Sequence, residues 1–154
     1  MKIFIMRHGE AEHFAASDAE RVLTSRGISE SVTIAQICRD KGITAVDLAL
    51  VSPYVRAQQT WQQVQTVLTA SEVETCHDIT PYGQAESVFD YLCARIEIEQ
   101  PQSLLLISHL PLVGYLTAEF VSELPAPMFS TSSMVCIEFE PESRQSELLW
   151  HLYP

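Results

Sequence analysis

Short apolar runs separated by longer segments of mixed polarity are the main pattern along this chain of 154 residues. Runs of this length indicate strands of a sheet, and those without alternation indicate strands buried on both faces of a parallel sheet. Six strands are predicted, over residues 3–6, 48–51, 73–76, 104–107, 134–139 and 148–153.

Apolar residues at helical spacing fill the segments between these strands. Thr24 is suited to be an N-cap, and the helix that follows it is predicted to reach about Lys41 and to end at Gly42. The inner face of this helix is expected to carry Ile28, Ala35 and Cys38.

Three further helices are predicted. The second is capped by Ser52 and extends to Leu68. Pro53 occupies its first helical position, where a backbone N–H would have no hydrogen-bond partner within the helix and proline's lack of one costs nothing. A third helix is predicted over residues 85–98, and Pro111 is expected to open a fourth. Because strands and helices alternate along the chain, the sequence predicts an α/β fold.

Composition limits the partners of this protein. Its 9 lysines and arginines face 20 aspartates and glutamates, and the net charge of −11 argues against nucleic acid and anionic membrane as partners. No signal peptide and no membrane-spanning run is recognised, so a cytoplasmic protein is expected. The length suits a single domain over residues 1–154, and the four widely spaced cysteines suit reduced thiols better than disulfides or a zinc site.

Two of the predicted strands run towards a histidine. The first strand is followed by Arg7, His8 and Gly9, and the fourth, which ends at Ile107, is followed by Ser108 and His109. Because open α/β sheets place their chemistry beyond the carboxyl ends of the strands, both imidazoles are expected to face one crevice. A neutral imidazole is a nucleophile, a guanidinium binds phosphate oxygens through a fork of donors, and glycine permits close backbone approach. This combination suits phosphoryl transfer.

The residues after the second strand indicate the same chemistry. Ser52, Arg56 and Thr60 are four apart, which places them on one face of the predicted helix. Arg56 then lies in the first turn, where the helix dipole disfavours a cation unless an anion binds beside it. The alternative is a solvated surface arginine. Ser52 and Thr60 are expected to orient Arg56 and the loop rather than to touch the substrate.

Four segments carry a resemblance to a known family: Arg7-His8-Gly9, Leu23-Thr24-x-x-Gly27, residues 52–60, and Ser108-His109. In their order and spacing they resemble the histidine phosphatase superfamily, which includes the phosphoglycerate mutases. The short chain and the segment 107–116 most resemble the SixA branch, the bacterial phosphohistidine phosphatases. The resemblance implies a three-layer, phosphoglycerate mutase-like fold with helices flanking a mostly parallel central sheet.

The resemblance also implies roles for individual residues. His8 is the nucleophile that becomes phosphorylated, and Arg7, Arg56 and His109 hold the transferring phosphoryl group. This reaction requires positioning and positive charge around the equatorial oxygens, which guanidiniums and a protonated imidazole supply without a metal or cofactor. His109 is therefore expected to be a cation. His8 is expected to be neutral, with one ring nitrogen donating to a nearby carbonyl such as that of Gly9.

Two more phosphate contacts are expected. In the SixA-like proteins an arginine is found near the phosphate at the place of Arg21, and the alternative is a surface arginine paired with Asp18 or Glu20. The backbone N–H of Leu110, which precedes the predicted fourth helix, is expected to bind a phosphate oxygen.

Two features that phosphate enzymes often use are not expected here. A metal site could be built from residues close in sequence, but their spacing matches no common zinc pattern and an arginine adjoins them: His8, Glu10, Glu12 and His13. By the resemblance a general acid is also missing, since Leu110 stands where the acid phosphatase branch has an aspartate, and residues 78–83 contain no glutamate where the mutase-like branch has one after the third strand. Asp78 and Glu86 remain as candidates. Phosphate esters need such an acid for their alkoxide leaving group, whereas phosphohistidine expels a neutral imidazole.

The first hypothesis is therefore an enzyme that removes the phosphoryl group from a phosphohistidine on a partner protein, through a phospho-His8 intermediate. Phosphotransfer domains of two-component relays and carrier proteins of phosphotransferase systems are both consistent with this branch. One alternative is a phosphatase of small phosphate esters with Asp78 or Glu86 as the proton donor. Another is a non-catalytic adaptor for phosphoproteins, which is disfavoured because a binder needs the arginines but not an unprotonated nucleophile.

Overall fold

A computed structural model describes all 154 residues as a six-stranded sheet with helices on both faces. The strands are β1 (Lys2–Arg7), β2 (Ala45–Val51), β3 (Thr69–Thr75), β4 (Ser103–Ser108), β5 (Met134–Glu140) and β6 (Gln145–Leu152). The helices are α1 (Ser25–Asp40), α2 (Val55–Val64), α3 (Ala85–Glu99) and α4 (Leu112–Phe120). Two short 3-10 helices span Asp18–Glu20 and His77–Ile79.

The sheet is mostly parallel and has the strand order β3-β2-β4-β1-β5-β6. The first four of these strands are parallel neighbours, whereas β5 and β6 are joined antiparallel at one side. Arg7 at the end of β1 lies opposite Ser108 at the end of β4. The residues that follow these two strands, His8 and His109, therefore leave the sheet at the same edge.

Each central strand contributes to two cores because successive side chains point to opposite faces of a sheet. On β1, Ile3 and Ile5 join the core under α3 and α4, while Phe4 and Met6 join the core under α1 and α2. All four of these side chains are buried. The three-layer α/β architecture expected from the sequence is confirmed.

The boundaries of two elements, α2 and β3, differ most from the sequence-based prediction. The helix predicted from Pro53 begins at Val55, with Tyr54 as its N-cap, and it ends at Val64 rather than at Leu68. Leu68 instead lies buried in the turn that leads into β3, which begins four residues earlier than predicted. This strand was placed too late because it is an edge strand with mostly exposed side chains and carries no apolar run.

Smaller differences concern single positions. Ile28 is 42% exposed and does not belong to the inner face of α1, which is formed by Ala35, Cys38, Ile34 and the small residue Ser31. Pro111 is the N-cap of α4 rather than its first residue. The last strand begins and ends earlier than predicted, at Gln145 and Leu152.

The four cysteines are free and buried. Burial raises the pKa of Cys38 to about 11 and that of Cys136 to about 12, so these thiols stay protonated at neutral pH. No helix is both long enough and apolar enough to cross a bilayer.

Candidate active site

The candidate site lies where β1 and β4 end. The rings of His8 and His109 are 5.0 Å apart between centroids, so the two imidazoles face one crevice as the sequence predicts. The backbone of His8 is held from both neighbouring chain segments. Its N–H donates to the Ser108 carbonyl at 3.0 Å, and its carbonyl accepts from the Ser132 N–H at 3.0 Å.

His8 has one ring nitrogen protonated and the other free. Arg56 Nε donates to His8 Nε2 at 3.2 Å, so Nε2 carries the lone pair and Nδ1 donates to the Gly9 carbonyl at 2.7 Å. Burial, and then the charges of Arg56, Arg7 and Arg21, lower the pKa of His8 to about 3. The side chain is therefore a neutral imidazole at pH 7, and Nε2 is the atom that faces the arginines.

Gly9 is a position of close backbone contact. A Cβ at Gly9 would lie 2.7 Å from the Gly27 carbonyl oxygen, so only glycine lets this loop pass so close to the start of α1. The Gly9 N–H donates to Thr60 Oγ1 at 2.9 Å, and the Thr60 hydroxyl donates to the Arg56 carbonyl at 2.7 Å. Thr60 thus connects the end of β1 to the first turn of α2 and touches backbone on both sides.

Arg56 lies in the first turn of α2, as predicted, and is only 4% exposed. The alternative of a solvated surface arginine is therefore wrong. Its guanidinium donates from Nη1 to the Asp18 carbonyl at 2.7 Å and from Nη2 to Asp18 Oδ2 at 3.2 Å. The anion that the helix dipole favours at this position is supplied in part by the protein itself.

Arg7 and Arg21 complete a group of three arginines around His8. Arg7 donates from Nη1 to the Phe129 carbonyl at 2.9 Å, while its Nε is buried and has no partner within the protein. Arg21 donates from Nη1 to Asp18 Oδ1 at 3.0 Å and from Nε to the Glu12 carbonyl at 2.7 Å. The expected alternative pairing with Asp18 is therefore present. It places Arg21 beside His8, whose pKa its charge lowers.

His109 is neutral in this structure, which corrects the expectation of a cation. Burial, and then His8 and the two cations Arg56 and Arg7, lower the pKa of His109 to about 2. Its Nε2 lies 2.7 Å from Ser52 Oγ, and its Nδ1 is buried without a partner. An imidazole enclosed by guanidiniums keeps a proton only when an anion is bound beside it.

Ser52 has a different contact from the one predicted. It precedes α2 instead of capping a helix, and its hydroxyl contacts His109, so it does not share a helical face with Arg56 and Thr60. The Leu110 N–H has no acceptor within the protein. The contact of this N–H with a phosphate oxygen stays a prediction.

The candidates for a general acid lie outside this group. Asp78 is in the 3-10 helix after β3 and Glu86 is in the first turn of α3, and both side chains are exposed. Neither carboxylate forms a hydrogen bond or an ion pair with the histidines or arginines of the site. No group of three or more histidine, cysteine, aspartate or glutamate side chains is arranged to hold a metal ion.

Sequence reasoning did not find two contacts of this site. Tyr54 packs its ring edge against His109 at 5.0 Å between centroids and lies 4.9 Å under the Arg56 guanidinium. The sequence indicates this role of Tyr54 only through its position two residues before Arg56. Asp18 was expected only as a partner of Arg21, and its bonds to Arg56 depend on the path of the loop between β1 and α1.

The geometry is that of a site for a phosphoryl group. It combines a neutral imidazole with a free Nε2, three guanidiniums, a buried Nδ1 without a partner and a free backbone N–H. A model of the histidine phosphatase superfamily (branch 1) matches residues 3–90, and the chain belongs to this superfamily.

The similarity to individual members extends over the whole chain. The protein is 40% identical over 155 aligned residues to phosphohistidine phosphatase SixA of Escherichia coli (strain K12), covering 100% of this chain and 94% of that protein. It is 39% identical to the SixA homolog of Haemophilus influenzae, covering 98% and 94%. The solved structure of the protein histidine phosphatase SixA complexed with tungstate superposes with a TM-score of 0.93 at 40% identity, covering 100% of this chain and 97% of that chain.

Proposed function

We propose that this protein is a phosphohistidine phosphatase, a hydrolase that removes the phosphoryl group from a phosphohistidine on a partner protein. The observation that carries the proposal is the state of His8, a neutral imidazole whose unprotonated Nε2 accepts a hydrogen bond from Arg56 Nε. The 40% identity to an enzyme named phosphohistidine phosphatase supports the same conclusion.

In the first step His8 Nε2 attacks the phosphorus atom of the substrate. A new N–P bond forms to His8 while the N–P bond of the substrate breaks, and the substrate imidazole leaves as a neutral base that already carries its proton. The Nε–H of Arg56, which donates to His8 Nε2 in the free site, then donates to a phosphoryl oxygen. Arg7 supplies an unpartnered Nε–H to the same group.

In the second step a water molecule attacks the phosphorus of phospho-His8. The N–P bond breaks, His8 regains its lone pair at Nε2, and inorganic phosphate leaves with both protons of the water. The bound dianion raises the pKa of His109 from the low value of the free site, so His109 takes up a proton and donates from Nδ1 to an oxygen. His109 thus becomes a cation only while the phosphoryl group is present.

The remaining residues of the site are assigned supporting parts. Arg21 and the Leu110 N–H contribute further donors to the phosphoryl oxygens. Ser52 holds the ring of His109 through its hydroxyl, and Thr60 holds the turn at Gly9 against α2. None of these parts requires a metal ion or another cofactor.

The proposed partner is a protein that carries phosphohistidine, such as a phosphotransfer domain of a two-component relay or a carrier protein of a phosphotransferase system. Such partners work in the cytoplasm, so the proposal implies a cytoplasmic enzyme. Because the chain has a net charge of −11, an acidic partner must approach a face that is less negative than the average surface.

A series of substrates with different leaving groups tests the proposal. The enzyme is assayed on a phosphohistidine protein, an aryl phosphate and phosphoserine. Imidazole has a conjugate-acid pKa of about 6.5, whereas an alkoxide resembles hydroxide, whose conjugate acid has a pKa of about 15.7. Without a general acid the rates should fall in that order, with phosphoserine scarcely hydrolysed.

Asp78→Asn and Glu86→Gln are the matched variants for this series. Both should leave the rate on phosphohistidine nearly unchanged because neither carboxylate contacts the site. A kcat/KM on phosphoserine equal to that on phosphohistidine, or loss of ester hydrolysis on replacing either carboxylate, would instead establish a phosphatase of small esters.

A further inference from the structure

The Asp18 carboxylate lies between two of the arginines, and the reaction above does not use it. Its Oδ1 accepts from Arg21 Nη1 at 3.0 Å and its Oδ2 accepts from Arg56 Nη2 at 3.2 Å. The Asp18 carbonyl accepts from Arg56 Nη1 at 2.7 Å. One residue therefore contacts both guanidiniums, through three acceptors.

These contacts fix the orientation of Arg56. A guanidinium has five N–H donors in one plane. Asp18 takes one donor from each terminal nitrogen, and Nε at the other side of the group donates to His8 Nε2. Because the group is held at both sides, its plane cannot rotate. One N–H on Nη1 and one on Nη2 remain for a phosphoryl oxygen, together with the Nε–H once His8 has reacted.

Asp18 is well placed to hold the arginines without blocking the nucleophile. It contacts the terminal nitrogens of Arg56, whereas the Nε edge faces His8. Its side chain is 50% exposed, while that of Arg56 is almost completely buried. The buried cation needs a counter-ion when no substrate is bound, and the bonds from Arg21 and Arg56 hold the pKa of Asp18 below its usual value.

We propose that Asp18 is a positioning residue that holds the guanidiniums of Arg56 and Arg21 in the orientation that receives the phosphoryl group. The inference rests on the proposed function for the identity of the substrate. The binding of inorganic phosphate tests the geometry independently of that function.

Removal of the Asp18 carboxylate has two opposite effects on the affinity for phosphate, and their balance tests the proposal. Asp18→Ala takes a negative charge away from an anion site, which by Coulomb attraction alone would tighten phosphate binding. A positioning residue predicts the reverse. Arg56 and Arg21 each lose the carboxylate oxygen that orients one terminal nitrogen, while the bonds of Arg56 and Arg21 to backbone carbonyls remain, and the loosened guanidiniums must be ordered again when phosphate binds. Ordering these two long side chains costs conformational entropy, so phosphate binding is expected to weaken by about tenfold.

The experiment measures the Kd of inorganic phosphate by calorimetry, together with kcat and KM on a phosphohistidine protein. Asp18→Ala should weaken phosphate binding and lower kcat by at least about tenfold. Asp18→Asn, which keeps one carbonyl acceptor, should show a smaller loss of both. Glu20→Gln is the matched control because Glu20 lies on the same 3-10 helix and its side chain bonds only to the Ser17 hydroxyl. It should change either quantity by less than about twofold.

Thermal unfolding confirms that each variant is folded, and Asp18→Asn carries the test if Asp18→Ala is not. Phosphate binding that is tighter or unchanged in the Asp18 variants would overturn the proposal. If the wild type binds phosphate but does not hydrolyse phosphohistidine, the proposed function fails while the phosphate affinities still decide the role of Asp18.

Discussion

Acid should destabilise the phosphate-free protein through the two histidines of its site. The pKa of His8 is about 3 and that of His109 is about 2, whereas an unfolded histidine has a pKa of about 6.5. Because both folded values are depressed, the two side chains contribute stability that is complete above pH 6.5. That contribution is lost as the pH falls towards the folded values, since unfolding then takes up two protons.

The size of the effect follows from these values. At pH 5 both unfolded histidines are protonated and both folded ones are neutral. The free energy of unfolding falls by 1.36 kcal/mol for each pH unit below the unfolded pKa, which gives about 2 kcal/mol per histidine and about 4 kcal/mol for the pair. This loss is a large part of the free energy of unfolding of a typical domain, which is about 5–15 kcal/mol.

Urea unfolding at pH 7, 6 and 5, in buffers without phosphate or sulfate, measures this loss. His8→Gln, His109→Gln and the double variant are the controls, because every other titratable group stays in place. The wild type should lose about 4 kcal/mol more than the double variant between pH 7 and pH 5, and each single variant about half of that excess. Parallel curves for the wild type and the double variant would refute the reasoning that both imidazoles are buried in the neutral form.

Saturating sulfate, which stays a dianion over this pH range, provides a second comparison. The bound anion raises the pKa of His109, so the difference in pH dependence between the wild type and His109→Gln should become smaller. An unchanged difference would mean that the anion does not bind beside His109.

Two further predictions concern single residues of the site. His8→Ala should abolish turnover while keeping the fold and the binding of inorganic phosphate, because the His8 side chain belongs to neither apolar core and the arginines remain. Acid-labile labelling by a phosphohistidine protein should disappear with it, and turnover by a folded His8→Ala protein would contradict the covalent mechanism. Arg56→Lys should lower kcat/KM by about 100-fold, because a lysine cannot reproduce the fork that contacts His8 and Asp18. Arg144→Lys, at an exposed position in the turn before β6, is the control, and equal kinetics of both variants would show that Arg56 does not bind the phosphoryl group.

The buried strands of the fold could be predicted from the sequence because strands buried on both faces consist of continuous apolar runs. β1 and β4 are predicted to within two residues at each end, since their interior residues are all apolar. β3 carries Glu72 and Glu74 among mostly exposed neighbours, and its pairing with β2 depends on backbone hydrogen bonds that leave no hydrophobic pattern.

The candidate site could be predicted as far as it depends on strand ends. His8 and His109 meet because their strands are parallel neighbours in the sheet, a relation that the two apolar runs indicate. The loop between β1 and α1 follows no such rule. Its path is held by distant bonds, such as the one from the Leu23 N–H to Gln59 Oε1 at 2.7 Å, and these bonds bring Asp18 to Arg56.

The charge of His109 could not be predicted because it depends on what surrounds the ring in three dimensions. The sequence shows a histidine that suits phosphate binding, but its protonation follows from burial and from the cations beside it. Burial is the larger cause of the neutral imidazoles, and the charge balance of the free site acts in the same direction. Arg7, Arg21 and Arg56 contribute +3 and Asp18 contributes −1, so the site has a net charge of +2 before either histidine is protonated.

That charge of +2 equals in size the charge of a dianionic phosphoryl group, and the proton that His109 takes up when the group binds adds to it. The site is embedded in a chain with a net charge of −11, whose average surface repels anions that come within a Debye length of about 8 Å and whose field is largely screened beyond it. Attraction therefore acts only at short range, through donors that are largely buried. Such a site selects its ligand by the fit of the phosphoryl oxygens to fixed donors, and the attachment of the phosphoryl group to a docking protein compensates for the absence of long-range attraction.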